Sequence, residues 1–162
     1  FPPRQIGPVK SEVLVLGAGG ACRAVIGALL ESGVEKPHVT NRTQKRAIDL
    51  QVFFNNQIEL IEWSEKEEFL NNVNTVINTT TLGMVGCDEL QFSLSKANEN
   101  TTIVDLVYNP INTPLLVEAH KKGCHVVNGI GMLLHQAIPG FNEWYGVKPT
   151  ITKELLNRVM SK

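Results

Sequence analysis

Residues 13–24 read VLVLGAGGACRA, in which four apolar residues pass directly into a glycine-rich turn and then into a helical pattern. The apolar run predicts a buried strand, and the missing Cβ atoms of Gly19 and Gly20 would let an anion approach the backbone closely. The N–H groups of the following helix would face that anion. Cys22 stands where G-x-G-x-x-G requires its third glycine. The stretch predicts a nucleotide-binding turn, with a turn that binds no ligand as the alternative.

The bulk composition restricts the kind of partner. Fifteen basic and 16 acidic residues leave a net charge of -1, which gives no reason to expect nucleic acid or an acidic membrane surface as a partner. No apolar stretch is long enough to span a bilayer, and no secretory leader is visible. Cys22, Cys87 and Cys124 are too far apart for a zinc site or a redox pair. We therefore expect no metal site, buried free thiols and a cytoplasmic location.

Strand and helix patterns alternate along the chain after a proline-rich lead of residues 1–10. The strands are predicted at 12–16, 38–41, 58–61, 75–78, 102–107 and 125–127. The helices are predicted at 20–32, 43–55, 64–71, 113–122, 131–144 and 152–160. Parallel strands need helix-length crossovers, so this alternation predicts an α/β fold with a doubly wound, mostly parallel six-stranded sheet and extra C-terminal helices. We expect residues 1–162 to form one Rossmann-like domain.

The turn after the second predicted strand indicates which dinucleotide is bound. Residues 40–46 read TNRTQKR, with three cations and no acid. An acid here would hold the ribose hydroxyls of NAD, whereas Arg42 can fork onto a 2′-phosphate, with Thr43 and Arg46 as further donors. The turn favours NADP, and it counts against an S-adenosylmethionine methyltransferase, which usually uses that acid. A solvated helix start is the alternative.

Five segments, in order along the chain, resemble the shikimate dehydrogenase family. They are GAGGACRA at 17–24, NRT at 41–43, NTTTLGM at 78–84, DLVYNPINTPLL at 105–116 and NGIGMLLHQA at 128–137. The resemblance implies NADP-dependent, reversible reduction of 3-dehydroshikimate to shikimate, a step of aromatic amino-acid biosynthesis. Methylene-tetrahydrofolate dehydrogenase and glutamyl-tRNA reductase would share the fold and part of the glycine turn, but not the last two segments together.

The resemblance also implies roles for individual residues. It places the pyrophosphate at Ala18, Gly19, Gly20 and Ala21. It places the adenosine ribose and its 2′-phosphate at Asn41, Arg42, Thr43 and Arg46. Thr79, Thr80 and Leu82 would flank the cofactor, and Leu106 and Gly129 would receive the nicotinamide. Tyr108 and Gln136 would reach toward the substrate. From the residues alone, Tyr108 would cap a strand end and Gln136 would lie on a helix surface.

The family's catalytic lysine and aspartate have no counterpart in these residues. In that family they belong to an N-terminal substrate-binding domain, and Lys10 fits none of its catalytic motifs. We therefore expect no catalytic residue in this chain, which begins at Phe1 as an excised or processed domain would. The small-molecule substrate would bind together with the missing domain, and an oligomer is compatible with the sequence. A quinate-using relative and a non-catalytic NADP-binding module are the alternatives.

Overall fold

A computed structural model describes residues 12–160, so the proline-rich lead and Lys10 lie outside the described residues. Its strands are β1 (Val13–Leu16), β2 (His38–Thr40), β3 (Glu59–Leu60), β4 (Thr75–Asn78), β5 (Thr102–Asp105) and β6 (His125–Val127). They form one six-stranded sheet in the order β3-β2-β1-β4-β5-β6. All five strand pairs are parallel. The predicted parallel α/β sheet is confirmed.

Within residues 12–160, five α-helices connect or follow these strands. They are α1 (Gly20–Glu31), α2 (Gln44–Phe53), α3 (Pro114–Lys122), α4 (Ile130–Tyr145) and α5 (Lys153–Met160). The predicted helix over 64–71 is wrong, because the chain forms two 3₁₀ turns there, at Trp63–Glu65 and Glu68–Asn72. Glu62 precedes the first of these turns. Lys66 is buried between the two turns and Leu70 is buried in the second, so packing divides this segment into short pieces.

The core has two halves, one on each face of the sheet. Val13 and Val15 of β1 pack with Ile26 of α1 and Leu50 of α2. The alternating residues of the same strand pack on the opposite face, with a cluster that includes Leu70, Ile103 and Leu115. A strand that is buried on both faces must be apolar at every position, which explains the VLVL run. Helices therefore cover both faces, as a doubly wound fold requires.

The cysteines differ in exposure. All three are free; Cys22 and Cys124 are buried, whereas Cys87 is exposed. The prediction of buried thiols is therefore wrong for Cys87, which lies in a surface turn where its backbone N–H donates to the Met84 carbonyl at 2.9 Å. Within residues 12–160, none of the helices has the length and apolarity that crossing a bilayer demands. The same residues contain no group of three His, Cys, Asp or Glu side chains that could hold a metal ion.

Candidate functional site

A cleft of about 280 Å³ opens beyond the carboxyl ends of β1, β2 and β4. In the sheet, β2 lies on one side of β1 and β4 lies on the other, so the strand order changes direction at this point. Ligands of open α/β sheets bind at such a switch point. The cleft is lined by Gly17, Ala18, Gly19, Asn41, Arg42, Thr43, Arg46, Trp63, Thr79, Thr80, Thr81 and Leu82. Most of the predicted cofactor residues therefore lie around one cavity.

The glycine turn leaves the start of α1 open. Gly17 has φ +115°, and a Cβ there would lie 2.7 Å from Thr79 Oγ1, so this position needs glycine. Gly19 precedes α1 with extended backbone, and a Cβ at Gly19 or Gly20 would meet nothing within 4 Å. No side chain caps α1, and its first turn contains no acid. The first N–H groups of α1 are thus available to an anion. Gly20 and Ala21 lie on this first turn, outside the lining of the cleft.

Cys22 explains how the turn tolerates the loss of its third glycine. Its side chain is fully buried in the cluster between α1 and the sheet. Burial raises the pKa of the Cys22 thiol to about 11, so the side chain stays neutral at physiological pH. The third glycine of the fingerprint serves close packing of helix on strand. A small neutral thiol fills that position in this chain.

The second wall of the cleft carries positive charge. The Asn41 side-chain amide donates to the Thr43 carbonyl at 2.8 Å and shapes the turn between β2 and α2. Thr43 occupies the N-cap position of α2, but its hydroxyl makes no capping bond. Arg42 and Arg46 are exposed, and within residues 12–160 neither forms an ion pair. Two guanidinium groups and a free hydroxyl can bind a phosphate dianion.

Asn78 fixes the loop that forms the third wall. Its Oδ1 atom accepts hydrogen bonds from the Thr80 backbone N–H at 3.0 Å and from the Thr80 hydroxyl at 2.7 Å. The Thr80 hydroxyl oxygen in turn accepts from the Leu82 N–H at 3.1 Å. The Thr79 hydroxyl donates to the Leu16 carbonyl at 2.7 Å, which ties the end of β4 to β1. The wall is therefore tied to the sheet by side-chain bonds.

Asp105 lies behind this wall at the end of β5. Its carboxylate accepts from the Asn78 amide at 2.9 Å, the Val107 N–H at 3.0 Å and the Thr113 hydroxyl at 2.6 Å. Burial raises the pKa of Asp105, although these three hydrogen bonds oppose that shift. Sequence reasoning missed Asn78, Asp105 and Thr113 as site residues. The signal available was an acid at the last position of an apolar strand, where an unpartnered carboxylate would be costly.

Trp63 and Thr81 were also missed. Both line the cleft, although neither belongs to a strand or an α-helix. Trp63 begins a 3₁₀ turn that the sequence pattern predicted as part of a longer helix. The spacing of apolar residues in this segment does not predict that Trp63 lines a cleft. Trp63 reaches the cleft because β3 packs beside β2.

Leu106 and Gly129 lie together outside the cleft. The Leu106 N–H donates to the Asn78 carbonyl at 3.0 Å, which extends the contact of β5 with β4. A Cβ at Gly129 would overlap the Leu106 carbonyl and lie 2.8 Å from the Val107 carbonyl oxygen. This close approach of two backbones requires glycine. The two residues predicted at the nicotinamide are therefore neighbours.

Tyr108 lines a second cavity, of about 540 Å³, with residues that include Asn109, Pro110 and Leu133. Its side chain is 42 % exposed. Gln136 is exposed and lines neither this cavity nor the cleft. It follows Leu133 by three positions on α4, and residues at that spacing share one side of a helix. Tyr108 and Gln136 thus lie on elements that meet at the second cavity.

The chain matches known proteins over most of its length. The family model described as shikimate / quinate 5-dehydrogenase matches residues 4–123. A relative from Roseobacter denitrificans named shikimate dehydrogenase (NADP(+)) is 48% identical over 145 residues, which are 90% of this chain and 52% of that protein. The chain spans about half the length of the curated relatives it matches.

Solved structures share the fold. Quinate dehydrogenase from Corynebacterium glutamicum in complex with NAD superposes with a TM-score of 0.81 at 29% identity, over 96% of this chain and 55% of that one. Shikimate 5-dehydrogenase from Thermus thermophilus, in complex with NADP(H) and shikimate, gives 0.77 at 34% identity, over 95% and 56%. The fold is thus the Rossmann-like α/β fold of these enzymes. Because the family model covers residues 4–123, the chain belongs to the shikimate/quinate 5-dehydrogenase family.

Proposed function

We propose that this chain is the NADP-binding part of a shikimate dehydrogenase, which reversibly reduces 3-dehydroshikimate to shikimate with NADPH. The observation that carries the proposal is the acid-free rim beside the glycine turn. Arg42 and Arg46 line the same cleft as Gly19, and α2 has no acid in its first turn. A rim of this charge favours the 2′-phosphate that distinguishes NADP from NAD.

The residues of the cleft fit this dinucleotide. Its pyrophosphate fits the open turn at Ala18, Gly19, Gly20 and Ala21, where added Cβ atoms at the glycines would fill the space that a phosphate needs. Asn41 shapes the turn that offers Arg42, Thr43 and Arg46 to the adenosine ribose and its phosphate. Thr79, Thr80 and Leu82 form the opposite wall. Leu106 and Gly129, which are neighbours outside the cleft, would receive the nicotinamide.

NADP, when bound, supplies or accepts the hydride. The chain's own residues hold and orient the dinucleotide, and we propose that Tyr108 and Gln136 orient the substrate. Because we assign no residue of this chain to proton transfer at the carbonyl, the reaction needs the substrate-binding domain that the resemblance implies. Exposed aromatic residues on α4, including Trp144 with 80% of its surface accessible, support a contact with that domain.

We also propose a cytoplasmic location, because the three cysteines remain free, as a reducing compartment would keep them. Association between copies of the chain is compatible with the edge strand β6, whose Val126 and Val127 are exposed.

Calorimetric titration of the chain with NADP and NAD tests the cofactor. We expect NADP to bind more tightly, and equal affinities would contradict the proposal. With shikimate and NADP, the chain alone should form no NADPH above background, as followed by the absorbance of reduced nicotinamide. Adding a relative's substrate-binding domain at high concentration should restore some rate, since separation mainly lowers the effective concentration. Robust turnover by the chain alone would show that it contains its own proton donor.

A quinate dehydrogenase is the second candidate. The likeness to the Corynebacterium glutamicum quinate dehydrogenase in complex with NAD favours it. Oxidation of quinate in preference to shikimate in the reconstituted system would support this candidate, and so would tighter binding of NAD. A non-catalytic NADP-binding module predicts tight NADP binding with no turnover in any combination.

A further inference from the structure

We propose that Trp63 packs against the adenine ring of the dinucleotide and thereby forms the adenine subsite. This inference rests on the proposed function, because it assigns one part of the same cofactor. The starting observation is that Trp63 lines the cleft together with Arg42, Thr43 and Arg46. Among the residues that line this cleft within the described part of the chain, Trp63 is the one aromatic side chain.

The position of Trp63 is fixed from two directions. The side-chain amide of Gln44, the first residue of α2, donates to the Glu62 carboxylate at 2.9 Å. The Ile61 N–H donates to the Val39 carbonyl at 2.9 Å, which holds the chain after β3 beside β2. Both bonds connect the Trp63 segment to the elements that carry Arg42 and Arg46. The Trp63 segment and the turn that carries Arg42 and Arg46 are therefore held together at one corner of the cleft.

Lys66 supports one side of the indole ring. Its ammonium nitrogen lies 4.8 Å from the centre of the Trp63 ring, and the lysine is only 8% exposed. The same ammonium lies 3.6 Å from the Glu67 carboxylate. A cation over one face of an indole occupies that face. The part of the ring that lines the cleft is consequently the opposite face or the edge, and that opposite face is apolar.

The chemistry of the ligand places a flat ring at this corner. In NADP the 2′-phosphate and the adenine are attached to the same ribose, so a phosphate held by Arg42 and Arg46 puts the base within a few bonds of them. An adenine has two apolar faces that gain from contact with an aromatic side chain. Trp63 supplies that contact, while the arginines supply the charge.

The two groups predict separable effects. In this proposal Arg42 acts mainly on the 2′-phosphate, so its loss should weaken NADP far more than NAD. Adenine occurs in both dinucleotides, so loss of Trp63 weakens both to the same extent. We expect Trp63→Leu to weaken NADP, NAD and adenosine 2′,5′-bisphosphate by about tenfold each, within the range for stacking of a base on an aromatic side chain. Binding of nicotinamide mononucleotide, which lacks adenine, should not change.

Fluorescence gives an independent measurement. The chain contains two tryptophans, Trp63 in the cleft and the exposed Trp144 on α4. Adenosine 2′,5′-bisphosphate should quench the emission of the unmodified chain and of Trp144→Phe, but not that of Trp63→Phe. Trp63→Phe should also retain most of the affinity, because a phenyl ring keeps an aromatic face.

The outcomes separate this inference from the proposed function. If the unmodified chain binds neither NADP nor NAD, the proposed function fails. If it binds them, but Trp63→Leu has unchanged affinity for all three adenine ligands, only the adenine subsite is wrong. Quenching that persists in Trp63→Phe overturns the subsite even where Trp63→Leu folds poorly. An unchanged melting temperature of Trp63→Phe shows that its lost quenching comes from the ring itself.

Discussion

The side-chain amide of Asn78 donates a hydrogen bond of 2.9 Å to the Asp105 carboxylate, which joins the carboxyl ends of β4 and β5. The same carboxylate accepts from Thr113, whose hydroxyl oxygen caps α3 by accepting from the Leu116 N–H at 3.3 Å. Asn78 also holds the Thr80 wall of the cleft. One buried carboxylate therefore links the wall of the cleft to the segment that leads to Tyr108.

Asp105→Asn tests this link through the free energy of unfolding. An amide cannot accept from all three donors, so we expect a loss of about 1–3 kcal/mol, the cost of leaving a buried polar group unsatisfied. Burial raises the folded pKa of Asp105 above its unfolded value. The raised pKa therefore adds to the free energy of unfolding in full below the unfolded pKa of about 3.9. This added stability is lost as the pH rises through the folded pKa.

The stability advantage of the unmodified chain over Asp105→Asn should therefore shrink as the pH rises from about 4 toward neutrality. Urea unfolding at a series of pH values measures it. Asp49→Asn, the same substitution at an exposed position of α2, is the matched control. An advantage that is constant with pH, or that grows as the pH rises, would contradict a raised pKa of Asp105 in the folded chain.

Arg42→Ala tests the cationic rim. We expect NADP binding to weaken by about 1.5–3 kcal/mol, the scale of a hydrogen bond to a charged group, while NAD binding stays nearly unchanged. Lys45→Ala serves as the control, since Lys45 is an exposed cation in the first turn of α2, close to Arg42 in sequence, but does not line the cleft. Calorimetric titration of each variant with both dinucleotides gives the result. An equal loss for NAD and NADP would mean that Arg42 does not contact the 2′-phosphate.

Gly19 and Gly17 should respond differently to substitution. A Cβ at Gly19 meets no protein atom within 4 Å, so Gly19→Val should preserve the fold while blocking the approach of the pyrophosphate and abolishing dinucleotide binding. Gly17→Ala should instead lower stability by about 1–3 kcal/mol, because its φ is unfavourable for alanine and its Cβ would collide with Thr79. Circular dichroism melting and cofactor titration of both variants separate these effects. Retained binding by Gly19→Val would place the phosphates elsewhere.

The thiols should differ in reactivity. Cys87 is exposed, whereas burial raises the pKa of the Cys22 thiol to about 11 and also raises that of Cys124. Since the thiolate is the reactive form, a disulfide-exchange reagent should label Cys87 quickly and the other two only after unfolding. Mass spectrometry of the native and denatured chain measures the sites. Rapid native labelling of Cys22 would show that the start of α1 opens readily.

The sequence determined the parallel sheet and the family. The VLVL run before Gly17 is apolar at every position because β1 is buried on both faces, and such a run is visible without coordinates. The glycine turn and the acid-free turn after β2 likewise mark the cleft, since each requires particular residue types at fixed spacing. Both features depend on the types of residues that are close together in sequence, so they can be recognised without a structure. The roles given to the individual cofactor residues remain predictions.

Only the tertiary structure decided which distant residues share the site. Asn78, Asp105 and Thr113 are scattered in sequence, and their hydrogen bonds exist because parallel strands end at the same edge of the sheet. Trp63 reaches the cleft because β3 pairs with β2, although its segment forms a 3₁₀ turn rather than the predicted helix. The sequence pattern also did not predict that Cys87 is exposed. Contacts between residues that are distant in sequence depend on how separate helices and strands pack. The periodicity of a single segment therefore cannot predict them.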